Sequence, residues 1–160
     1  MSERIVVLEI SRLEALHLAG LVGQFAELLA DTRRAEDPGV ARLLPDAYPG
    51  DEEATREFRR LTGNDMLDRR ADDARTVLTT LGSDGTDVDA DSDPDTTIAV
   101  ALSENEATAW LRTLSAVRLI LAERLGIRDE DDHRPDDPRF GIYDWVGYRL
   151  DGLVTALDRR

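Results

Sequence analysis

A chain of 160 residues with no cysteine and a formal net charge of −14 is long enough for one domain that buries roughly two thirds of its unfolded surface. It has no disulfide, no thiolate ligand and no cysteine nucleophile, and a field of that sign repels a phosphate backbone. All twenty basic residues are arginines, whose rigid five-donor forks suit paired contacts to carboxylates.

No apolar run approaches the ~18 to 20 residues that a bilayer requires. The opening Met1-Ser2-Glu3-Arg4 lacks the pattern of a signal peptide, so a cytoplasmic protein is expected.

Residues 4–10 are dense in β-branched side chains and predict a strand. Ser11 follows, with Glu14 three places later, a capping box that opens a helix. Leu18, Leu21, Val22, Phe25, Leu28 and Leu29 recur at helical spacing and predict its buried face. Gly20 and Gly23 lie inside it, where the missing side chains would permit either close approach of a neighbour or loose packing.

Asp37-Pro38-Gly39 opens a short helical stretch through Leu44 that Pro45 closes. Residues 51–61 predict a helix with an acidic start and an arginine-rich end, matching the helix dipole. Thr62 and Asp65 read as a new cap, followed by a separate helix from about Asn64 to Leu81. The aspartate-rich residues 82–95 predict a flexible loop, since nothing there can enter a core.

Thr97-Ile98-Ala99-Val100-Ala101-Leu102 predicts a second strand, and Ser103 with Glu106 repeats the capping box. The helix that follows buries Trp110, Leu111, Leu114, Val117, Ile120 and Leu121 and stops at Gly126. Two strands that each lead into a capped helix suggest a side-by-side pair. Residues 129–138 predict a second acidic loop, and a last helix spans about Pro138 to Leu157 with Tyr143, Val146, Leu150, Leu153, Val154 and Leu157 inward. The sum is a mainly α fold in one domain over 1–160: a bundle of five or six helices with a small two-stranded β element at about 4–10 and 97–102.

Chemistry is sparse in this pattern. His17 sits on the first helix and His133 in the second acidic loop, neither with a fixed partner that would make an acid–base pair. Ser11 and Ser103 are spent on capping. The aspartates of 82–95 lack the calcium-loop spacing, and a chain without lysine has no phosphate-binding Gly-Lys-Ser/Thr loop. Asp144 and Asp151 share a helix face and would pair with Arg149 or another helix. No catalytic, cofactor-binding or metal site is therefore assigned.

The densest arginine tract, 56–70, has Arg56, Arg59, Arg60, Arg69 and Arg70 around the Leu61-Thr62-Gly63-Asn64 junction. Helix, tight break and helix would suit DNA, but Glu57, Asp65, Asp68, Asp72 and Asp73 dilute the charge.

Val40-Ala41-Arg42-Leu43-Leu44-Pro45-Asp46-Ala47-Tyr48, Glu57-Phe58-Arg59-Arg60-Leu61-Thr62, Ala109-Trp110-Leu111-Arg112-Thr113-Leu114 and Ile142-Tyr143-Asp144-Trp145-Val146-Gly147 together resemble the AosR-like family of actinobacterial proteins, long a domain of unknown function. The resemblance implies an oxidative-stress transcriptional regulator that works with an alternative sigma factor and connects to cysteine metabolism. The cysteine pair that senses redox state in a characterised branch is absent here, which puts that switch in doubt. The expectation is a non-enzymatic regulator acting through protein contact, with a sigma factor or a second copy of itself as partner. Arg42, Tyr48, Arg59, Arg60, Arg69, Arg70, Tyr143, Asp144 and Trp145 are the candidate contact residues, since arginine and aromatic side chains are enriched at binding hot spots. The alternatives are a small-ligand sensor or enzyme built on an inter-helix pocket, and a DNA-binding module through 56–70.

Overall fold

The computed structural model describes residues 4–44, 48–82, 93–129, 132, 134 and 136–158. Among them, strand β1 (Ile5–Ser11) leads into α1 (Arg12–Ala30), a short α2 (Pro38–Ala41) and a long α3 (Glu52–Thr80). Strand β2 (Thr97–Ser103), α4 (Glu104–Leu125) and α5 (Gly141–Asp158) complete the order. This is the mainly helical bundle with a minor sheet that the sequence predicts; apart from α3, the larger departures are α2, which ends at Ala41 rather than Leu44, and α5, whose α-helix begins at Gly141 after a 3-10 turn at Pro138–Phe140. Much of 82–95, Pro45 and His133 lie outside the described residues.

The strands pair antiparallel, Ile5 opposite Ser103 and Ser11 opposite Thr97. Alternation then sorts the side chains. Val6, Ile10, Val100 and Leu102 point into the core, while Ile5 and Val7 stay 62% and 56% exposed on the outer face. Both capping boxes form: Ser11 Oγ accepts from Glu14 N at 3.0 Å and Ser103 Oγ from Glu106 N at 3.1 Å. Each strand can therefore turn into its helix without leaving the first amides unpaired.

Helix α4 is the centre of the bundle. It buries Trp110, Leu114, Val117 and Ile120 among α1, α3 and α5. Trp110 donates its indole N–H to Thr80 Oγ1 at 2.7 Å, which satisfies its polar edge at the end of α3. Gly126 caps α4 in the left-handed conformation at φ 75°, where glycine meets no Cβ penalty. Among the described helices, α1 is the one long and apolar enough to cross a membrane by length and composition alone. That departs from the expectation of no such run, although Leu18, Val22, Phe25 and Leu29 are buried in the bundle.

Helix α5 docks on the β1–α1 corner through polar contacts. The Glu14 carboxylate, already part of the cap, accepts from Trp145 Nε1 at 3.0 Å and from Arg149 Nε at 2.8 Å, with Arg149 Nη2 on the same oxygen. Arg4 reaches the Ala156 carbonyl at 2.8 Å farther along α5. Burial alone would raise the Glu14 pKa, yet the hydrogen bonds from Arg149 and Trp145 and the Arg149 charge outweigh it and hold the carboxyl below its usual value. Arg149 is thus paired with Glu14 rather than with Asp144 or Asp151. Val154, expected inside, is 43% exposed because α5 is covered on its Val146–Leu153 stripe only.

The predicted break at 62–64 does not exist. Thr62 Oγ1 donates to the Phe58 carbonyl one turn back at 2.9 Å, and Gly63 is buried in an unbroken helix of 29 residues. Local signals were overridden because Leu67, Ala74 and Val77 and the first turns of α3 share one packed face. A helix-turn-helix at 56–70 is accordingly absent. Of the two alternatives at Gly20 and Gly23, loose packing holds: an added Cβ would meet nothing within 4 Å at either position. The close approach is at Gly39, where an added Cβ would stand 2.9 Å from Ile120 Cγ2. There α2 is held on α4 by Arg124 and Asp37, whose Nη2–Oδ2 separation is 2.9 Å.

Two outcomes test this architecture. An added methyl at Gly63 would sit 3.6 Å from Leu44 Cδ1, an ordinary contact, so Gly63→Ala should stabilise the protein by about 0.5–1 kcal/mol in denaturant unfolding; a loss of stability would mean that the helix is interrupted there. Glu14→Gln keeps a capping-box side chain but removes the charge, and should cost about 1–3 kcal/mol. Since the folded pKa of Glu14 is depressed, its contribution is fully present above the unfolded value near ~4.3 and disappears as pH falls through the folded value. The stability gap between wild type and Glu14→Gln should therefore be flat above about pH 5 and shrink in acid.

Candidate functional site

The nine candidate contact residues do not converge on one place. Arg42, Tyr143 and Asp144 line an open cleft of about 700 Å³ between the C-terminal half of α4, α5 and the chain after Gly126. Tyr48 and Arg59 line a separate hollow of about 930 Å³ at the start of α3, together with Asp51, Glu52 and Arg56. Arg60 pairs with Glu57 at 2.6 Å on the outer side of α3. Arg69 is exposed farther along that helix. Arg70 donates to the Arg112 carbonyl at 3.4 Å. Trp145 belongs to the Glu14 clamp. Of the two histidines, His17 is exposed and His133 lies outside the described residues.

The hollow at α3 is built by the turn before the helix. Gly50 takes φ 86°, and Thr55 Oγ1 both accepts from Tyr48 N at 3.2 Å and donates to Tyr48 O at 3.0 Å. Tyr48 meets Phe58 edge to face, with ring centroids 6.3 Å apart. Arg59 reaches the Leu44 carbonyl at 3.5 Å. Its acidic and basic side chains are interleaved at the surface.

The α4–α5 cleft has a more defined construction. After the Gly126 cap, Ile127 N returns to the Ala122 carbonyl at 2.8 Å, so Ile127 packs with Ala122 and Phe140 in a small second core. The next two amides, of Arg128 and Asp129, both donate to Asp132 Oδ2 at 2.9 and 3.3 Å, which sets one rim. Opposite, the Arg118 guanidinium lies 4.3 Å from the centroid of the Tyr143 ring, within cation–π range. Gly147 is also close, since a Cβ there would stand 3.0 Å from Arg118 Nε. Tyr143 and Gly147 are one helical turn apart on α5, so the guanidinium packs against both.

Arg118 and Arg128 were not among the candidates. Arg118 had a signal in the sequence: it is the one charge in the run Ala116-Val117-Arg118-Leu119-Ile120-Leu121. A charge there must either find a partner or line an opening. Arg128 had no such signal, because its position depends on the turn after Gly126.

Titratable groups elsewhere are perturbed by structural partners. Arg124 and two backbone amides hold Asp37 below its ordinary value, against the effect of burial. Burial pushes Asp73 up, with Arg112 and Arg70 opposing. Arg139 brings Asp137 down to about 2 at the surface. Among the described residues, no group of three or more His, Asp and Glu side chains is placed to hold a metal ion.

The profile of one protein family, described as a domain of unknown function (DUF2017), matches residues 1–157. The chain belongs to the DUF2017 family. No curated protein and no solved structure matches it. What can be said of this DUF2017 protein's chemistry therefore rests on its own geometry, in which the cleft joins cationic side chains to the apolar walls of Leu119, Ala122 and Ile127.

Gly147→Ala should push Arg118 out of this packing. In ¹H–¹⁵N spectra of the arginine Nε groups, the Arg118 Hε signal should lose its ring-current shift from Tyr143, as it should in Tyr143→Leu. An Hε signal that stays in place in both variants would mean the stacking is not populated.

Proposed function

We propose that this protein is a non-enzymatic regulator that acts through protein contact, of the AosR-like kind, working in the cytoplasm with a sigma factor and without a cysteine switch. The observation that carries the reading is the outer face of the sheet. Val7 stands opposite Ala101 and Ile5 opposite Ser103, and that face is left bare among the described residues while both strands keep an unpaired edge. Two strands alone are marginally stable, and an exposed apolar face beside an open edge is a ready surface for another chain. The helices bury the opposite face of the sheet, so the bare face can be covered without unfolding anything.

A second reading, a small-ligand sensor, is favoured by the α4–α5 cleft, whose volume is in the range of ligand sites. The two readings use different surfaces and are compatible.

Affinity capture from a lysate of the native host should retrieve a sigma factor. Val7→Glu should abolish that capture with little change in melting temperature, because Val7 is 56% exposed. Recovery of no transcription component under both reducing and oxidising conditions would overturn the sigma-factor assignment.

A further inference from the structure

We propose that the α4–α5 cleft binds a small organic anion, one with carboxylate or phosphate oxygens on a short apolar body, and that Arg118 and Arg128 are its anchors. This goes beyond the protein-contact reading and stands on separate observations.

The first is charge. The chain has 34 acidic residues against 20 basic ones, so carboxylate partners are abundant, and Arg34, Arg60, Arg75, Arg112, Arg124, Arg139 and Arg149 each have one. Arg118 and Arg128 stand in no ion pair among the described residues, although both line the same cleft. Arg42, at the mouth, is bound only loosely to Glu123 at 3.4 Å. Asp129 and Asp144 also line the cleft and offset part of its positive charge.

The second observation is preorganisation. Arg118 Nε is buried with no hydrogen-bond partner, a costly state for a cation's donor. Its guanidinium nevertheless packs against both the Tyr143 ring and Gly147. A guanidinium packed in this way has already lost rotamer freedom, so an arriving anion meets its terminal Nη donors at little further entropic cost.

The third is the wall chemistry. Leu119, Ala122, Ile127 and Leu150 share the lining with the arginines, which suits an acid with a hydrocarbon portion better than a bare inorganic ion. A net charge of −14 repels anions from most of the surface, so an anion that binds must do so at a local site.

The test is titration of the full chain with succinate, phthalate and inorganic phosphate at constant ionic strength, followed by arginine Nε–Hε and backbone amide shifts. Expected is saturable movement of the Arg118 Hε signal and of the 127–129 amides, strongest for phthalate. Arg118→Lys, which keeps the charge but not the fork, and Arg128→Ala, at an exposed position, should each weaken binding by about tenfold to a hundredfold. Arg75→Ala, on α3 where Arg75 pairs with Asp72 at the surface, should leave it unchanged. Because Arg128 is exposed, its replacement reads the site even if Arg118→Lys is unstable. Shifts that are linear, spread over many arginines or unaltered in Arg128→Ala would overturn the proposal. So would an acidic peptide that binds where all three small anions fail, which would assign the cleft to a protein segment instead. Neither result bears on the sheet face, so the fate of the sigma-factor reading is read independently through Val7→Glu.

Discussion

The carboxylate of Glu14 is the interaction on which the arrangement of this protein depends. It completes the cap that turns β1 into α1, and with its other oxygen it receives Trp145 and Arg149 from α5. One side chain thus joins a local folding signal to a contact between residues 14 and 149, at opposite ends of the chain. Taking such a charge partly out of water is unfavourable by itself. Three donors on one oxygen, with the Ser11 amide on the other, make it tolerable, and they also specify direction, because indole N–H and guanidinium must both reach the same carboxylate. Hydrophobic burial could place α5 at several rotations against the sheet. The carboxylate selects one.

That selection reaches the cleft. With Trp145 and Arg149 turned toward Glu14, the residues one face over on α5, Tyr143 and Gly147, are turned toward Arg118 on α4. The packing of the Arg118 guanidinium is a consequence of how α5 is locked at its far side. The other rim is set by the left-handed turn at Gly126 and by the Asp132 carboxylate that gathers two successive amides. The candidate ligand site and the candidate partner surface use different residues, the cleft lining on α4 and α5 for one and the outer face of the two strands for the other.

The failure at residues 62–64 shows why local grammar has limits. Threonine followed by glycine, asparagine and aspartate is good cap chemistry, and in an isolated peptide a helix would have reason to restart there. In the folded chain the threonine hydroxyl bonds back to Phe58 and the glycine lies against Leu44. Burial of α3 as one length against α1 and α4 outweighs roughly 1 kcal/mol of glycine cost. The two glycines of α1 carry the same lesson in reverse: a missing side chain permits close approach, and only a neighbouring element decides whether it is used.

What the sequence by itself determined is what short range determines: the two strands, both capping boxes, the Gly126 stop and the apolar stripes of α1 and α4, because each is set by side chains within one or two turns of one another. Membership of the site was beyond that range. Arg42, Tyr143 and Asp144 could be nominated by type, yet their gathering in one cleft, the recruitment of Arg118 and Arg128, and the dispersal of Tyr48, Arg59 and Trp145 to other places required the helices to be packed. Only the tertiary structure decides which of twenty arginines meet a carboxylate and which do not, because the partners are far apart in the chain and the choice follows from the rotation of one helix against another.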